Sequence, residues 1–174
     1  GKSSAPRSTY TPPAGPKPYQ AVAPDPLPTP AVPEPPKYVR PSTAPNGQPW
    51  PRVASYIDGY AIDNEAGLST VTVDNSQNDS EVFVKLVSLD GEKAFPVRQF
   101  YIPAFGSFQL DKVTAGSYDV RYRDISTGGL SRSESFKLTE ETTYDGTRFS
   151  EMTLTLYKVQ NGNMQTYDLA EAEF

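Results

Sequence analysis

At 174 residues, with a net charge of −5 and neither cysteine nor histidine, the chain has room for one mid-sized domain and lacks whole classes of chemistry. Without cysteine there is no disulfide framework, no thiolate nucleophile and no Cys-ligated zinc. Without histidine the commonest general base and transition-metal ligand are missing, which excludes Ser-His-Asp and Cys-His mechanisms.

Composition divides the chain near residue 51. Sixteen of the 18 prolines lie between Pro6 and Pro51. Residues 1–51 carry five basic and two acidic side chains, a net of +3; residues 52–174 carry 11 basic and 19 acidic, a net of −8. The first part holds too few large apolar side chains to offset the entropy of ordering, whereas the second is a normal size for one core. The expected organisation is a proline-rich arm or linker over 1–51 and a folded domain over 52–174. An acidic domain is a poor match for phosphate, so nucleic acid is not an expected partner. No apolar run approaches the roughly 20 residues that span a bilayer. The start at Gly1-Lys2 reads as a trimmed N-terminus, so any membrane contact is expected through an anchor upstream of Gly1.

The arm contains "YTPPAGPKPYQ" and "TPAVPEPPKYVRP", which predict extended polyproline II structure. Its PxxP spacings, Pro13 to Pro16 and Pro30 to Pro33, are what chance gives in so proline-rich a tract. The arm is therefore read as a spacer that the fold does not need. Tyr10, Tyr19, Tyr38 and Trp50 are the side chains able to anchor parts of it, Trp50 foremost.

Beyond the arm the periodicity is that of strands. "STVTVDN" (69–75) sets Val71 and Val73 on one face. "EVFVKLVSL" (81–89) is apolar on both faces around Lys85 and predicts a central strand. "VRQFYI" (97–102) is closed by Pro103. "GSFQLDKV" (106–113) points Phe108 and Leu110 one way. "SYDVRYRD" (117–124) turns Tyr118, Val120 and Tyr122 inward and Asp119, Arg121 and Arg123 outward. "SRSESFKL" (131–138) predicts one more strand. "MTLTLYKV" (152–159) and "MQTYDLA" (164–170) flank Asn161-Gly162, a type I′ hairpin signal. "AEAEF" predicts a last helical turn. Asp90-Gly91, Ala115-Gly116 and Gly128-Gly129 separate strands at roughly ten-residue intervals, the spacing of an antiparallel sandwich.

The stretch 80–138 resembles the bacterial prealbumin-like sandwich modules, the carboxypeptidase-regulatory-like and Cna-B-like domains. The resemblance is carried by Gly106, Phe108, Leu110, Val113, Gly116, Tyr118 and Val120. It implies an all-β, antiparallel Ig-like or prealbumin-like sandwich of about seven or eight strands. In it Phe108 and Leu110 face the core, Gly116 permits a tight reversal, and the Tyr118 hydroxyl finds a backbone partner as in a tyrosine corner. The lysine and asparagine of the isopeptide-forming members have no counterparts, so no such crosslink is expected.

Three constellations invite a functional reading. The run "DNSQNDSE" (74–81) is rich in oxygen ligands, but the positions where an EF-hand loop needs Gly and Glu hold Asp79 and Lys85. Glu140, Glu141 and Asp145 are close in sequence without the opposed geometry of a glycosidase pair. The arginines Arg121, Arg123 and Arg132 lie near a Gly-Gly turn. Together with Tyr101 they are the candidate partner-binding residues, since guanidinium groups suit carboxylates and are enriched in interfaces. The resulting expectation is a non-catalytic module without metal or cofactor. It works by protein–protein or structural contact, in an extracytoplasmic setting, periplasmic or at the cell surface. The alternative is a carbohydrate-binding module using exposed aromatics; a coplanar exposed row of Tyr101, Tyr122 and Tyr157 would favour sugar, and scattered burial a structural module.

Overall fold

The computed structural model describes residues 38–158 and 167–174. The arm up to residue 37 and the Asn161-Gly162 turn lie outside the described residues. Twelve strands are present among those described: β1 Ser55–Tyr56, β2 Ser69–Asp74, β3 Val82–Ser88, β4 Phe95–Ile102, β5 Ser107–Val113, β6 Gly116–Asp124, β7 Leu130–Arg132, β8 Phe136–Leu138, β9 Glu140–Thr143, β10 Gly146–Phe149, β11 Glu151–Thr155 and β12 Tyr167–Asp168. A 3-10 turn, Glu171–Glu173, follows. The protein is all-β, with several antiparallel sheets.

The larger sheet runs β1-β4-β3-β6-β7-β12, with β8 also on β6. The smaller runs β11-β2-β5, and β9 and β10 form a hairpin. β3, apolar on both faces, lies between β4 and β6. Side chains alternate across a strand, so Val82, Val84 and Leu86 share one face with Phe100 and Ile102 of β4 and with Tyr118, Val120 and Tyr122 of β6. That face packs on Val71 and Val73 of β2 and on Leu110 and Val113 of β5, forming the main core. Leu110 and Val113 both point inward although an odd spacing separates them. Lys112 takes a left-handed φ of 58° and the β2–β5 register slips there, which inserts one residue and returns Val113 to the core.

Three sequence expectations are corrected. The residues 131–138 are not one strand: Ser133–Ser135 break it, and Ser133 binds Val120 through both its N–H (2.8 Å) and its hydroxyl (3.0 Å). Among the described residues, the strands on either side of Asn161-Gly162 join different sheets. β11 lies parallel to β2 in the smaller sheet, and β12 lies antiparallel to β7 in the larger; a local turn signal carries no information about which sheet each strand joins. Lastly, the compact unit begins at Tyr38 rather than at Arg52. Residues 38–51 contain five prolines or glycines, yet they bind the sheet through specific contacts. Tyr38 donates to the Ile125 carbonyl (2.8 Å), Arg40 forks onto Glu81, and Ala44 is buried. Trp50 stacks against Phe83 and Tyr101 at centroid distances of 5.7 and 5.9 Å. We refer to this segment as the strap.

Candidate functional site

The face of the larger sheet turned away from the main core follows from the β3–β6 register. Phe83 pairs with Arg123, and Lys85 with Arg121, while Arg121 in turn lies opposite Arg132 of β7. Three cations, Lys85, Arg121 and Arg132, thus form a row across neighbouring strands. Like charges directly opposite one another oppose pairing, so such a row needs anions. Asp119, two residues along β6, supplies one: Arg121 Nε donates to its Oδ1 at 2.9 Å. The C-terminal segment supplies the rest. Arg121 Nη1 donates to the Glu173 carbonyl (2.7 Å), Arg123 Nη2 to both Glu171 carboxylate oxygens (2.5 and 2.6 Å), and Arg132 lies 3.8 Å from Glu173.

Each candidate residue therefore has a definite place. Arg121 is only 8% exposed, and Arg123 and Arg132 are half-buried. All three meet acidic residues of their own chain. Tyr101 is buried beneath Trp50, and its hydroxyl donates to Glu81 Oε1 (2.8 Å). Burial and this carboxylate push the Tyr101 phenol well above its ordinary pKa. On the opposite face Leu110, Tyr118 and Val120 are fully buried, and Phe108 packs on Phe100 and Tyr56 (5.2 and 5.1 Å). The Tyr118 hydroxyl donates to the Thr114 carbonyl (2.7 Å) and accepts from Asn64 Nδ2 (2.9 Å). Gly116 has a φ of 156°, and a Cβ there would meet Asp90 Oδ2 at 2.2 Å, the carboxylate that caps the Ser117 N–H.

Between strap and C-terminal segment the outer face stays open as a groove of about 370 Å³. Its walls are the rings of Tyr38, Trp50, Phe83 and Phe174, and its charged lining is Lys85, Arg123 and Glu171. Phe83 and Phe174 meet edge-to-face at 5.4 Å. The Lys85 ammonium lies 4.2 Å from the Phe174 ring centroid and donates to the Phe174 main-chain oxygen. No side-chain carboxylate among the described residues pairs with it. Burial, then the nearby Arg123 and Arg121, lower the Lys85 pKa. Arg123 is paired with Glu171, so both cations of the groove have partners in the C-terminal segment.

Sequence reasoning missed Lys85 and Phe174; in the strap it named Tyr38 and Trp50 as anchors, and both pack there, but it missed Arg40 and the partners these residues meet. Lys85 was legible as the charged centre of a two-faced apolar strand, but its neighbour Arg121 requires the register. Also missed was Arg98, 1% exposed, whose guanidinium donates to the carbonyls of Asp63, Asn64 and Asp111 and to the Tyr56 hydroxyl. It pins the loop after β1 to β5. The run 74–81 is a knot of buried amides. Asn75 Nδ2 donates to Ser80 and Pro103 carbonyls, and Asn78 Nδ2 donates to Asn75 Oδ1 and the Leu156 carbonyl. Its carboxylates serve separate partners: Asp74 caps Ser76, Asp79 meets Lys158, and Glu81 meets Arg40. Glu140 caps the Leu68 N–H, and Asp145 accepts from Thr143 in the β9–β10 turn. Of the three tyrosines that discriminate sugar binding, Tyr101 and Tyr122 are buried and Tyr157 is 40% exposed.

The fold and this face define a β-sandwich-like, all-β module with a roofed outer sheet. No family model, curated protein or solved structure matches the chain.

Proposed function

We propose that the chain is a non-catalytic interaction module, a prealbumin-like sandwich carried on a proline-rich spacer, that works by binding protein segments. The observation that carries this reading is the aromatic groove with charged side chains at its base, held between strap and C-terminal segment. Grooves walled by aromatic rings with a few polar groups suit extended peptides, since the rings give contact area and the polar groups fix orientation. The extracytoplasmic setting rests on the resemblance of residues 80–138 to bacterial surface modules.

Carbohydrate binding is the competing reading. It is supported less well, because the exposed aromatics Phe95, Phe105, Tyr144 and Phe149 belong to separate elements and the tyrosines of the central sheet are covered. The test is to present the full chain and a Trp50→Ala variant, both checked for folding by circular dichroism, to a peptide array and a glycan array. Retention of peptides by the full chain, lost in the variant, is the expected result. Retention of glycans alone would replace this reading with the carbohydrate one.

A further inference from the structure

We infer that the outer edge of β11 is a self-pairing strand, by which two copies of the chain join antiparallel about Thr153 and continue the smaller sheet across a two-fold axis. The inference goes beyond the groove reading, since it concerns the other sheet and none of the groove's residues.

Edge strands present unpaired N–H and C=O groups, and folded proteins usually close them. The other long edges are closed here. β4 is covered by β1 and then by the N–H groups of Ile57 and Asp63, which donate to the Gln99 and Val97 carbonyls (3.3 and 3.0 Å). β5 is interrupted at the left-handed Lys112, and its Asp111 carbonyl accepts from Arg98 Nη1 (3.2 Å). β11 has neither device. Its sequence, Glu151–Thr155, contains no proline, lysine or glycine, and its register with β2 runs unbroken. The Ser150 carbonyl accepts from the Thr70 N–H (3.0 Å) and the Leu156 N–H donates to the Asp74 carbonyl (2.8 Å), so even-numbered residues turn their main-chain groups toward β2. Alternation turns those of Glu151, Thr153 and Thr155 to the open side. Among the described residues nothing bonds to them there.

This edge is complementary to itself. With Thr153 opposite Thr153 of a second copy, Glu151 falls opposite Thr155 and Met152 opposite Leu154. In an antiparallel pair the hydrogen-bonded residues exchange both N–H···O bonds, so the odd-numbered residues pair fully and no edge group is left over. Threonine meets threonine, and the Glu151 carboxylate never meets another carboxylate. Met152 and Leu154 of both copies join on the side that packs on the main core. That side is open at present: Met152 and Leu154 are half-buried, and with Phe136 and Tyr157 they line a groove of about 420 Å³ that follows the edge from Met152 to Thr155. The contact uses the same patch on both copies, so it closes as a dimer and does not grow into a fibre.

The test uses the full chain, which has no cysteine, so one introduced thiol reports one position. Across a hydrogen-bonded pair the two Cα atoms lie about 5.5 Å apart, within disulfide reach, and Thr153→Cys should oxidise to a covalent dimer. Glu151→Cys, whose counterpart lies four residues along the strand, on the order of 13 Å away, should crosslink at least about tenfold more slowly. Sedimentation velocity from about 5 to about 500 µM should show the chain passing from monomer to dimer, the range expected of a small interface. Thr153→Lys, which sets two cations opposite each other, should weaken association by about tenfold or more, and Thr153→Pro, which removes an N–H that β2 does not use, should abolish it. Melting curves establish folding; should the proline variant unfold, the lysine and cysteine variants decide. A monomer at every concentration, association undiminished in Thr153→Lys, or equal crosslinking through positions 151 and 153 overturns the inference. A monomeric chain that instead binds a fluorescein-labelled GSVTVTVSG peptide, and loses it in Thr153→Pro, would give the edge to a partner's strand and likewise overturn self-pairing.

Discussion

The two faces of the larger sheet solve the same problem in different ways. Inward, Val84, Leu86, Phe100, Val120 and Tyr122 meet the apolar side chains of β2 and β5, and burial alone explains the packing. Outward, Phe83 and Tyr101 sit among cations, and the cover consists of a strap of low regularity and a short C-terminal turn. The inner face is made by strands on strands. The outer face is made by residues that are themselves held by side-chain contacts: a fork from Arg40, a hydroxyl from Tyr38, carboxylates from Glu171 and Glu173. A cover of that kind is easier to open than a sheet, which suits the face proposed here for binding.

The comparison predicts that inner-face damage costs most. Tyr118→Ala should destabilise the fold by about 3–5 kcal/mol, the usual cost of emptying a large buried site. Tyr118→Phe, which keeps the ring and loses the hydrogen bonds to Thr114 and Asn64, should cost about 1 kcal/mol. Urea titration measures both. A loss below about 1 kcal/mol for the alanine variant would mean that the inner face does not carry the fold.

Removing the strap is the next largest effect. A chain beginning at Tyr38 should keep the stability of the full chain, since residues 38–51 supply the contacts to Phe83, Tyr101, Ile125 and Glu81. A chain beginning at Arg52 should lose on the order of 3 kcal/mol, the burial of one or two large apolar side chains. Equal melting of the two shortened chains would show that the strap adds nothing, and would remove the contrast between the faces.

How much of this was legible in the sequence depends on the range of the interaction. β2, β5 and β6 were readable from their own alternation and β3 from an apolar run on both faces. The tyrosine corner was readable because Tyr118 and Thr114 are four residues apart. The β9–β10 hairpin was overlooked although Asp145-Gly146 is itself a turn signal; its strands are polar, so no apolar alternation marked them. Of the strap only the anchoring rings of Tyr38 and Trp50 were readable; their partners were not, since Tyr38 reaches Ile125 across 87 residues and Arg40 reaches Glu81 across 41, and proline density points the other way. Arginines placed outward by alternation were read as open, and only the C-terminal contacts reveal that they are covered. Neither Arg98 nor the parallel pairing of β11 with β2 leaves any trace in local pattern.

Gly128 sharpens the comparison at a single atom. It has a φ of +84°, in the left-handed region, and a Cβ there would lie 2.5 Å from Cδ1 of the Tyr38 ring. Gly128→Ala should cost about 1–2 kcal/mol through backbone strain and displacement of that ring. In a Tyr38→Ala background the same substitution should cost less, because the ring it would strike is gone. A double-mutant cycle reads that coupling; strictly additive losses would mean that Tyr38 does not rest on Gly128.

The smallest effect is the dependence of the strap on pH, and its sign is fixed by Glu81. Hydrogen bonding from Arg40 and Tyr101 outweighs burial and holds the Glu81 carboxyl below its ordinary pKa. A depressed carboxylate stabilises the fold above its unfolded pKa and loses that contribution as pH falls through the lower, folded value. The pair should therefore be indifferent to pH from neutral down to about 5, and should weaken below about 4. Because Arg40 is 42% exposed, the contribution is that of a surface pair, about 1 kcal/mol or less. Trp50, the single tryptophan, packs on the same Tyr101 ring whose hydroxyl binds Glu81, so its fluorescence reports the strap directly. Its emission should shift in acid while the far-ultraviolet dichroism of the strands persists, and Glu81→Gln should remove that pH dependence. A shift retained in Glu81→Gln would mean that the Arg40–Glu81 pair does not set the acid response of the strap.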